Sequence, residues 1–139
     1  MALDVPLLRS SFALVADKEP EITARFYDNL FAMYPESMAL FATTSMENQQ
    51  DMLLQALVAV VDHLDEPDWL VANLAELGGK HVDYGVTPEM YEWVGAALLR
   101  TLGIAAGPAW SPELQHAWFE AYSAIASLML AGVPVTVAA

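Results

Sequence analysis

The chain has 139 residues, of which 56% are hydrophobic and 17% are charged, and it contains no cysteine. This length predicts a single domain, residues 1–139, with a full hydrophobic core, and the composition excludes intrinsic disorder. The net charge of −13 opposes binding to nucleic acid or to an anionic membrane, so we expect neither as a partner. The absence of cysteine excludes disulfides, thiolate chemistry and iron–sulfur clusters, and it is compatible with the cytoplasm, where we expect the protein.

Six segments carry apolar residues at the 3.6-residue spacing of an α-helix. In chain order they are residues 4–16, 19–33, 46–64, 68–82, 88–104 and 112–130. Pro20 is expected in the first turn of the second helix, where a missing N–H costs no hydrogen bond. Of the connections, PESMALF is expected to form one short turn and IAAGPAW a plain turn. No segment alternates with a period of two, so the sequence predicts an all-α domain.

His81 lies on the apolar face of the fourth helix, four residues after Leu77 and seven after Leu74. Gly78 and Gly79 precede it inside the helix, where each costs about 1 kcal/mol relative to alanine. Close approach of a flat partner to the backbone would offset that cost. A neutral imidazole in an apolar slot beside glycines is how a helix presents an axial ligand to haem iron. The alternative is a buried histidine that is hydrogen-bonded to a backbone carbonyl.

A series of motifs, taken in order, carries a resemblance to a known family. They are RFYDNLF, YPESMALF, a glutamine four residues before a leucine, LGGKH, and YGVTPEMYEWVG. In this order they resemble the single-domain bacterial globins and the globin domain of flavohaemoglobins, from about Leu7 to Leu130. The resemblance implies a globin fold of three-over-three helical architecture and a haem b cofactor.

The same resemblance implies roles for individual side chains around the haem. It makes His81 the proximal ligand of the iron. It makes Tyr27 and Gln49 the distal polar residues, with Gln50 as the alternative to Gln49. Leu53, one turn after Gln49, is the apolar neighbour that closes the distal side. The remaining expected cofactor contacts are Phe41, Lys80, Val86, Tyr91 and Val94.

Two departures from the flavohaemoglobin pattern affect the expected chemistry. In that pattern a glutamate near the end of the last helix joins the proximal histidine and a tyrosine in a hydrogen-bonded group. Here the tyrosine is Tyr91, but the position of the glutamate corresponds to Val133. Without the acid we expect less anionic character on the imidazole and a weaker peroxidase-like activation of oxygen. The reductase domains are also absent from these 139 residues, so an enzymatic role is expected to need a separate reductase.

A distal tyrosine and glutamine suit a bound ligand that acquires negative charge, because the phenol O–H and the amide N–H are both donors. The main prediction is therefore a globin that binds O2 reversibly, for transport or storage, with NO or CO as further ligands. One alternative is nitric oxide dioxygenase activity, and another is a sensor or interaction module with the globin fold. His63 and His116 are interpreted as surface histidines, and the acidic excess as solvated surface.

Overall fold

The computed structural model describes residues 3–132. Within this range the chain forms six α-helices and two short 3-10 helices. The α-helices are α1 Val5–Lys18, α2 Ile22–Met33, α3 Met46–Asp62, α4 Pro67–Asp83, α5 Pro88–Ala106 and α6 Pro112–Ala131. The 3-10 helices are Pro35–Phe41 and Gly107–Ala109. Across residues 3–132, every helix is too short or too polar to cross a membrane.

The all-α prediction is confirmed, and two details of local structure differ from it. Pro20 lies in a turn before α2, because the Ile22 N–H donates to the Glu19 carbonyl at 3.1 Å and the helix begins only after that turn. Most of the segment IAAGPAW is helical, since α5 continues to Ala106 and a 3-10 turn follows. Gly107, with a φ of 59°, ends α5 in the left-handed region that favours glycine.

Two buried apolar clusters hold the helices together. The larger one lies where α2 crosses α5, and it includes Phe26, Leu30 and Leu102. At its edge the Trp118 indole N–H of α6 donates to the Ser11 hydroxyl of α1 at 3.0 Å. The smaller cluster joins α4 to α6, and its buried members are Leu70, Leu74, Tyr91 and Met129. Helix α4 is therefore anchored mainly on α6, whereas α3 packs on α1 and α2.

This pairing of helices leaves a cleft between α3 and α4. A cavity of about 220 Å³ opens there. Ala56 and Val60 of α3 and Leu74 and Leu77 of α4 contribute its apolar lining. Leu77 lies one turn before His81, so the cleft runs along the helix that carries this histidine. The fold thus places an apolar opening between the helices that carry Gln49 and His81.

Candidate functional site

The Tyr27 hydroxyl lies at the junction of α2 and α3. The side-chain amide of Gln49 donates a hydrogen bond of 3.0 Å to it. Because the hydroxyl accepts this bond, its own proton remains available for a further acceptor. Burial raises the pKa of Tyr27, and the hydrogen bond from Gln49 offsets part of that increase. The phenol is therefore neutral near pH 7 and can donate a hydrogen bond.

Aromatic rings pack closely around Tyr27. The ring centroid of Phe41 lies 5.4 Å from that of Tyr27 in an edge-on arrangement, and Phe31 lies 5.6 Å from Phe41. Because Pro35 ends α2, the chain turns and brings Phe41 back to the face that carries Tyr27. Phe31 was not among the predicted site residues. Its position four residues after Tyr27 on the same helix was the signal that could have identified it.

Of the two candidate distal glutamines, Gln49 is the one that reaches Tyr27. Both are half-buried near the start of α3, but the hydrogen bond to the Tyr27 hydroxyl comes from Gln49 and not from Gln50. The Ser45 side chain caps α3 and so fixes where the helix begins. Leu53, one turn after Gln49, is half-buried and packs against the larger cluster. The structure thus places Tyr27 and Gln49 in contact, with Leu53 one turn further along α3.

His81 is half-buried in the last turn of α4. Its Nδ1 lies 2.8 Å from the carbonyl oxygen of Leu77, one turn earlier. A carbonyl can only accept, so Nδ1 carries the proton and Nε2 of the neutral ring keeps a free lone pair. The two interpretations of this histidine are therefore compatible, because the bond to the backbone fixes the tautomer that a metal ligand requires. Leu77 was not among the predicted site residues, because it acts through its backbone carbonyl and not through its side chain.

Tyr91 lies beside His81, with the two ring centroids 6.4 Å apart. Its hydroxyl is buried and has no hydrogen-bond partner within residues 3–132, and burial raises its pKa. Val133, which stands where the flavohaemoglobin pattern has a glutamate, lies outside the described residues. The Tyr122 hydroxyl donates a 2.6 Å bond to the Tyr91 carbonyl, so α6 fixes the backbone of this tyrosine.

The other predicted contacts surround His81 along the chain. The Val86 N–H donates to the His81 carbonyl at 3.0 Å, which closes the turn after α4. Lys80 is exposed, lies on the rim of the cleft, and has its ammonium group 3.5 Å from the Glu76 carboxylate. Val94 is half-buried and packs against the larger cluster. Their contacts with a cofactor stay predictions.

The two glycines before His81 have different surroundings. A Cβ at Gly78 would lie 2.8 Å from the Met129 Cα, so no side chain fits there. A Cβ at Gly79 would meet only the Gly132 carbonyl oxygen, at an ordinary 3.8 Å. The close approach predicted from the glycines exists at Gly78, but its partner is the backbone of α6. The expectation of a flat partner at this position was therefore wrong.

The remaining histidines lie away from the cluster around Tyr27. His63 was expected at the surface, but it is half-buried and stacks on Trp69 with ring centroids 3.8 Å apart. Its Nδ1 also lies 2.6 Å from the Ala59 carbonyl oxygen, so it closes the end of α3. His116 is exposed, as predicted. Among residues 3–132, no three or more His, Cys, Asp or Glu side chains are grouped so as to hold a metal ion.

Comparison with known proteins identifies the family. The family model named Globin matches residues 24–129, which include most of α2 and all of α3, α4 and α5. The chain belongs to the globin family. This globin is 33% identical over 128 residues to a flavohemoprotein from Bacillus thuringiensis subsp. konkukian, a match that covers 91% of the globin and 31% of its relative. The chain therefore spans about a third of the length of the flavohemoproteins that it matches.

Solved structures support the same conclusion. The globin has a TM-score of 0.78 and 30% identity to an engineered carbene transferase, a candidate nitric oxide dioxygenase from Rhodothermus marinus, over 90% of this chain and 87% of that one. It also matches a Pseudomonas aeruginosa protein described as structurally highly homologous to a human hemoglobin. That match has a TM-score of 0.82 and 21% identity over 94% and 98% of the two chains, and it shows the fold alone. The predicted globin fold is thus confirmed, and family membership supports haem as the cofactor.

Proposed function

We propose that this globin binds haem b through His81 and binds O2 reversibly, with Tyr27 and Gln49 as donors to the ligand. The observation that carries the proposal is the Tyr27 hydroxyl, which accepts a hydrogen bond from Gln49 and keeps its own proton. Haem, when bound, supplies the iron atom at which a diatomic ligand binds. The b form is supported because the sequence has no cysteine for covalent attachment of the porphyrin.

The chemistry of the proximal side fits this cofactor. The Leu77 carbonyl holds the His81 Nδ1 proton, which leaves Nε2 unprotonated and raises its basicity as a metal ligand. The cleft between α3 and α4 has the apolar lining that a largely hydrophobic macrocycle requires, with Leu74 and Val60 among its residues. Of the proposed cofactor contacts only Lys80 borders this cleft. The further proposed cofactor contacts are Phe41, Leu53, Lys80, Val86, Tyr91 and Val94.

The distal side supplies hydrogen-bond donors. The Tyr27 phenol, whose raised pKa keeps it neutral, would donate a hydrogen bond to a diatomic ligand that gains negative charge. The Gln49 amide fixes the direction of that phenol, since its N–H already occupies an acceptor site on the hydroxyl. One charge-assisted bond of this kind contributes about 1.5–3 kcal/mol, which corresponds to release that is roughly ten to a hundred times slower. This magnitude supports retention of O2.

The absorption spectrum of the purified protein, reconstituted with haem, tests the proposal. We expect a Soret band that shifts when CO is added to the reduced protein. In His81→Ala the band should be lost or altered, and added imidazole should restore it. His116→Ala is the matched control, because this histidine is exposed and should leave the spectrum unchanged. A lack of stoichiometric haem binding, or an unchanged spectrum in His81→Ala, would reject His81 as the ligand.

A second candidate function is oxidation of nitric oxide. The similarity to flavohemoproteins and to a candidate nitric oxide dioxygenase favours it. The reaction combines one NO, one O2 and one electron to form nitrate, so a flavoprotein reductase must supply the electron. Stopped-flow mixing of the O2-loaded protein with NO, followed by nitrate analysis and repeated cycles with a reductase, tests this function. Sustained turnover supports the dioxygenase, whereas slow O2 release without turnover supports carriage or storage.

A further inference from the structure

Two glycines bring the backbones of α4 and α6 into direct contact. A Cβ at Gly78 of α4 would lie 2.8 Å from the Met129 Cα of α6. A Cβ at Gly132, just after α6, would lie 2.6 Å from the Ala75 Cα of α4. Real Cβ atoms do not approach backbone atoms so closely. A side chain at either glycine would therefore push the two helices apart.

The peptide bond between Leu77 and Gly78 connects this contact to His81. The Leu77 carbonyl accepts the hydrogen bond from His81 Nδ1 at 2.8 Å. Gly78, the other half of the same peptide unit, is buried against α6. Because a peptide unit is planar and rigid, a displacement of Gly78 also displaces the Leu77 carbonyl. The acceptor that orients the imidazole is thus held by the α4–α6 contact.

We propose that Gly78 and Gly132 are positioning residues that set the orientation of the His81 ring by holding α4 against α6. The inference rests on the proposed role of His81 as the iron ligand. The side chains of Leu70 and Leu74 also anchor α4, but such side chains can change rotamer when α4 moves. Two backbones in contact cannot adapt in this way. The position of α6 is therefore transmitted to the imidazole through backbone atoms.

The experiment compares Gly78→Ala and Gly132→Ala with Gly79→Ala. Gly79 is adjacent to Gly78 in the same helix, but a Cβ there makes only an ordinary contact. The first measurement is the iron–histidine stretching band of the reduced, haem-loaded protein by resonance Raman. The second is the slowly exchanging Nδ1 proton signal of His81 by NMR of the cofactor-free protein. We expect Gly78→Ala and Gly132→Ala, the two clash variants, to shift the iron–histidine band to lower frequency and to lose the Nδ1 proton signal. Gly79→Ala should change neither.

Loss of stability alone must be separated from loss of orientation. Leu8→Ala serves this purpose, because Leu8 is fully buried in α1 and belongs to the larger cluster. It should lower the unfolding midpoint without shifting the iron–histidine band or removing the Nδ1 proton signal. If Leu8→Ala reproduces the effect of Gly78→Ala, the glycines act through stability and the inference is overturned.

The outcomes distinguish this inference from the proposed function. If the wild-type protein shows no iron–histidine band, the role of His81 as the ligand fails. If the wild type shows the band and both clash variants leave it unchanged, only the positioning role fails. If neither variant folds, an NMR measurement on the wild-type cofactor-free protein tests the contact between α4 and α6 instead. A nuclear Overhauser effect between the α-protons of Gly78 and Met129 supports the contact, and its absence overturns the inference.

Discussion

The Tyr27 hydroxyl accepts a 3.0 Å hydrogen bond from the side-chain amide of Gln49 and thereby joins α2 to α3. The bond fixes the direction of the phenol, while burial raises its pKa. A neutral, oriented phenol keeps its proton and can donate a hydrogen bond at any physiological pH. The proposed preference for ligands that gain negative charge depends on this pair of side chains.

Replacement of Tyr27 by phenylalanine tests the phenol proton directly. We expect Tyr27→Phe to release O2 about tenfold faster or more, because it loses one charge-assisted hydrogen bond. Stopped-flow displacement of O2 by CO measures the rate. Tyr34→Phe is the control, since Tyr34 stacks on Trp93 and lies outside the aromatic cluster of Tyr27. An unchanged release rate in Tyr27→Phe would remove Tyr27 from the distal role.

A pair of glutamine variants tests which side chain is distal. Gln49→Leu removes the hydrogen bond to Tyr27 and should accelerate O2 release about fivefold, the equivalent of about 1 kcal/mol. It should also raise the pKa of Tyr27 further, because the bond from Gln49 lowers that pKa. Gln50→Leu, at the next position on α3, should leave the release rate unchanged. The reverse order of effects would assign the distal place to Gln50.

The Tyr91 hydroxyl, which has no hydrogen-bond partner within residues 3–132, predicts a stabilising substitution. Tyr91→Phe should raise the free energy of unfolding of the cofactor-free protein by about 1 kcal/mol, because a buried hydroxyl without a partner in residues 3–132 is removed. Tyr122→Phe provides a control of opposite sign, since it removes a hydroxyl that donates to the Tyr91 carbonyl. Urea unfolding at pH 7 measures both. Destabilisation by Tyr91→Phe would show that its hydroxyl has a partner in solution.

Burial of Tyr122 predicts a loss of stability in alkaline solution. Burial, and secondly the charge of Tyr91, raise the pKa of Tyr122 above the ordinary value of a tyrosine. Below pH 10 the tyrosine is protonated in both states, so its contribution is complete. Above pH 10 the unfolded chain loses the proton first, and the free energy of unfolding therefore falls as the pH rises. Tyr122→Phe should flatten this decline, whereas Tyr84→Phe, which alters an exposed ring, should not.

The helices could be predicted from the sequence because their signals are local. Apolar spacing located all six α-helices, and it placed His81 on the same face as Leu74 and Leu77. The pairing of Tyr27 with Gln49 is different, because two residues on separate helices cannot be related by spacing. Their proximity was predicted only from the family resemblance, because that resemblance implies a fold in which α2 packs against α3.

Other features depend on long-range packing that the sequence does not encode locally. Gly78 and Gly79 are identical in type and adjacent, yet only Gly78 is pressed against α6. Which of them faces α6 depends on how α4 is rotated, and that rotation follows from the cluster it shares with Met129. The stacking of His63 on Trp69 was missed for a similar reason, since it requires the angle between α3 and α4.

The contact of Gly78 with Met129 also has a consequence for synthesis of the protein. Because α4 precedes α6 in the chain, α4 is synthesised first, and its main packing surface does not exist until α6 has been translated. Until then the carbonyl that orients His81 is not held in place. On the proposed role of Gly78, we therefore expect the imidazole to reach its final orientation only after α6 has been translated.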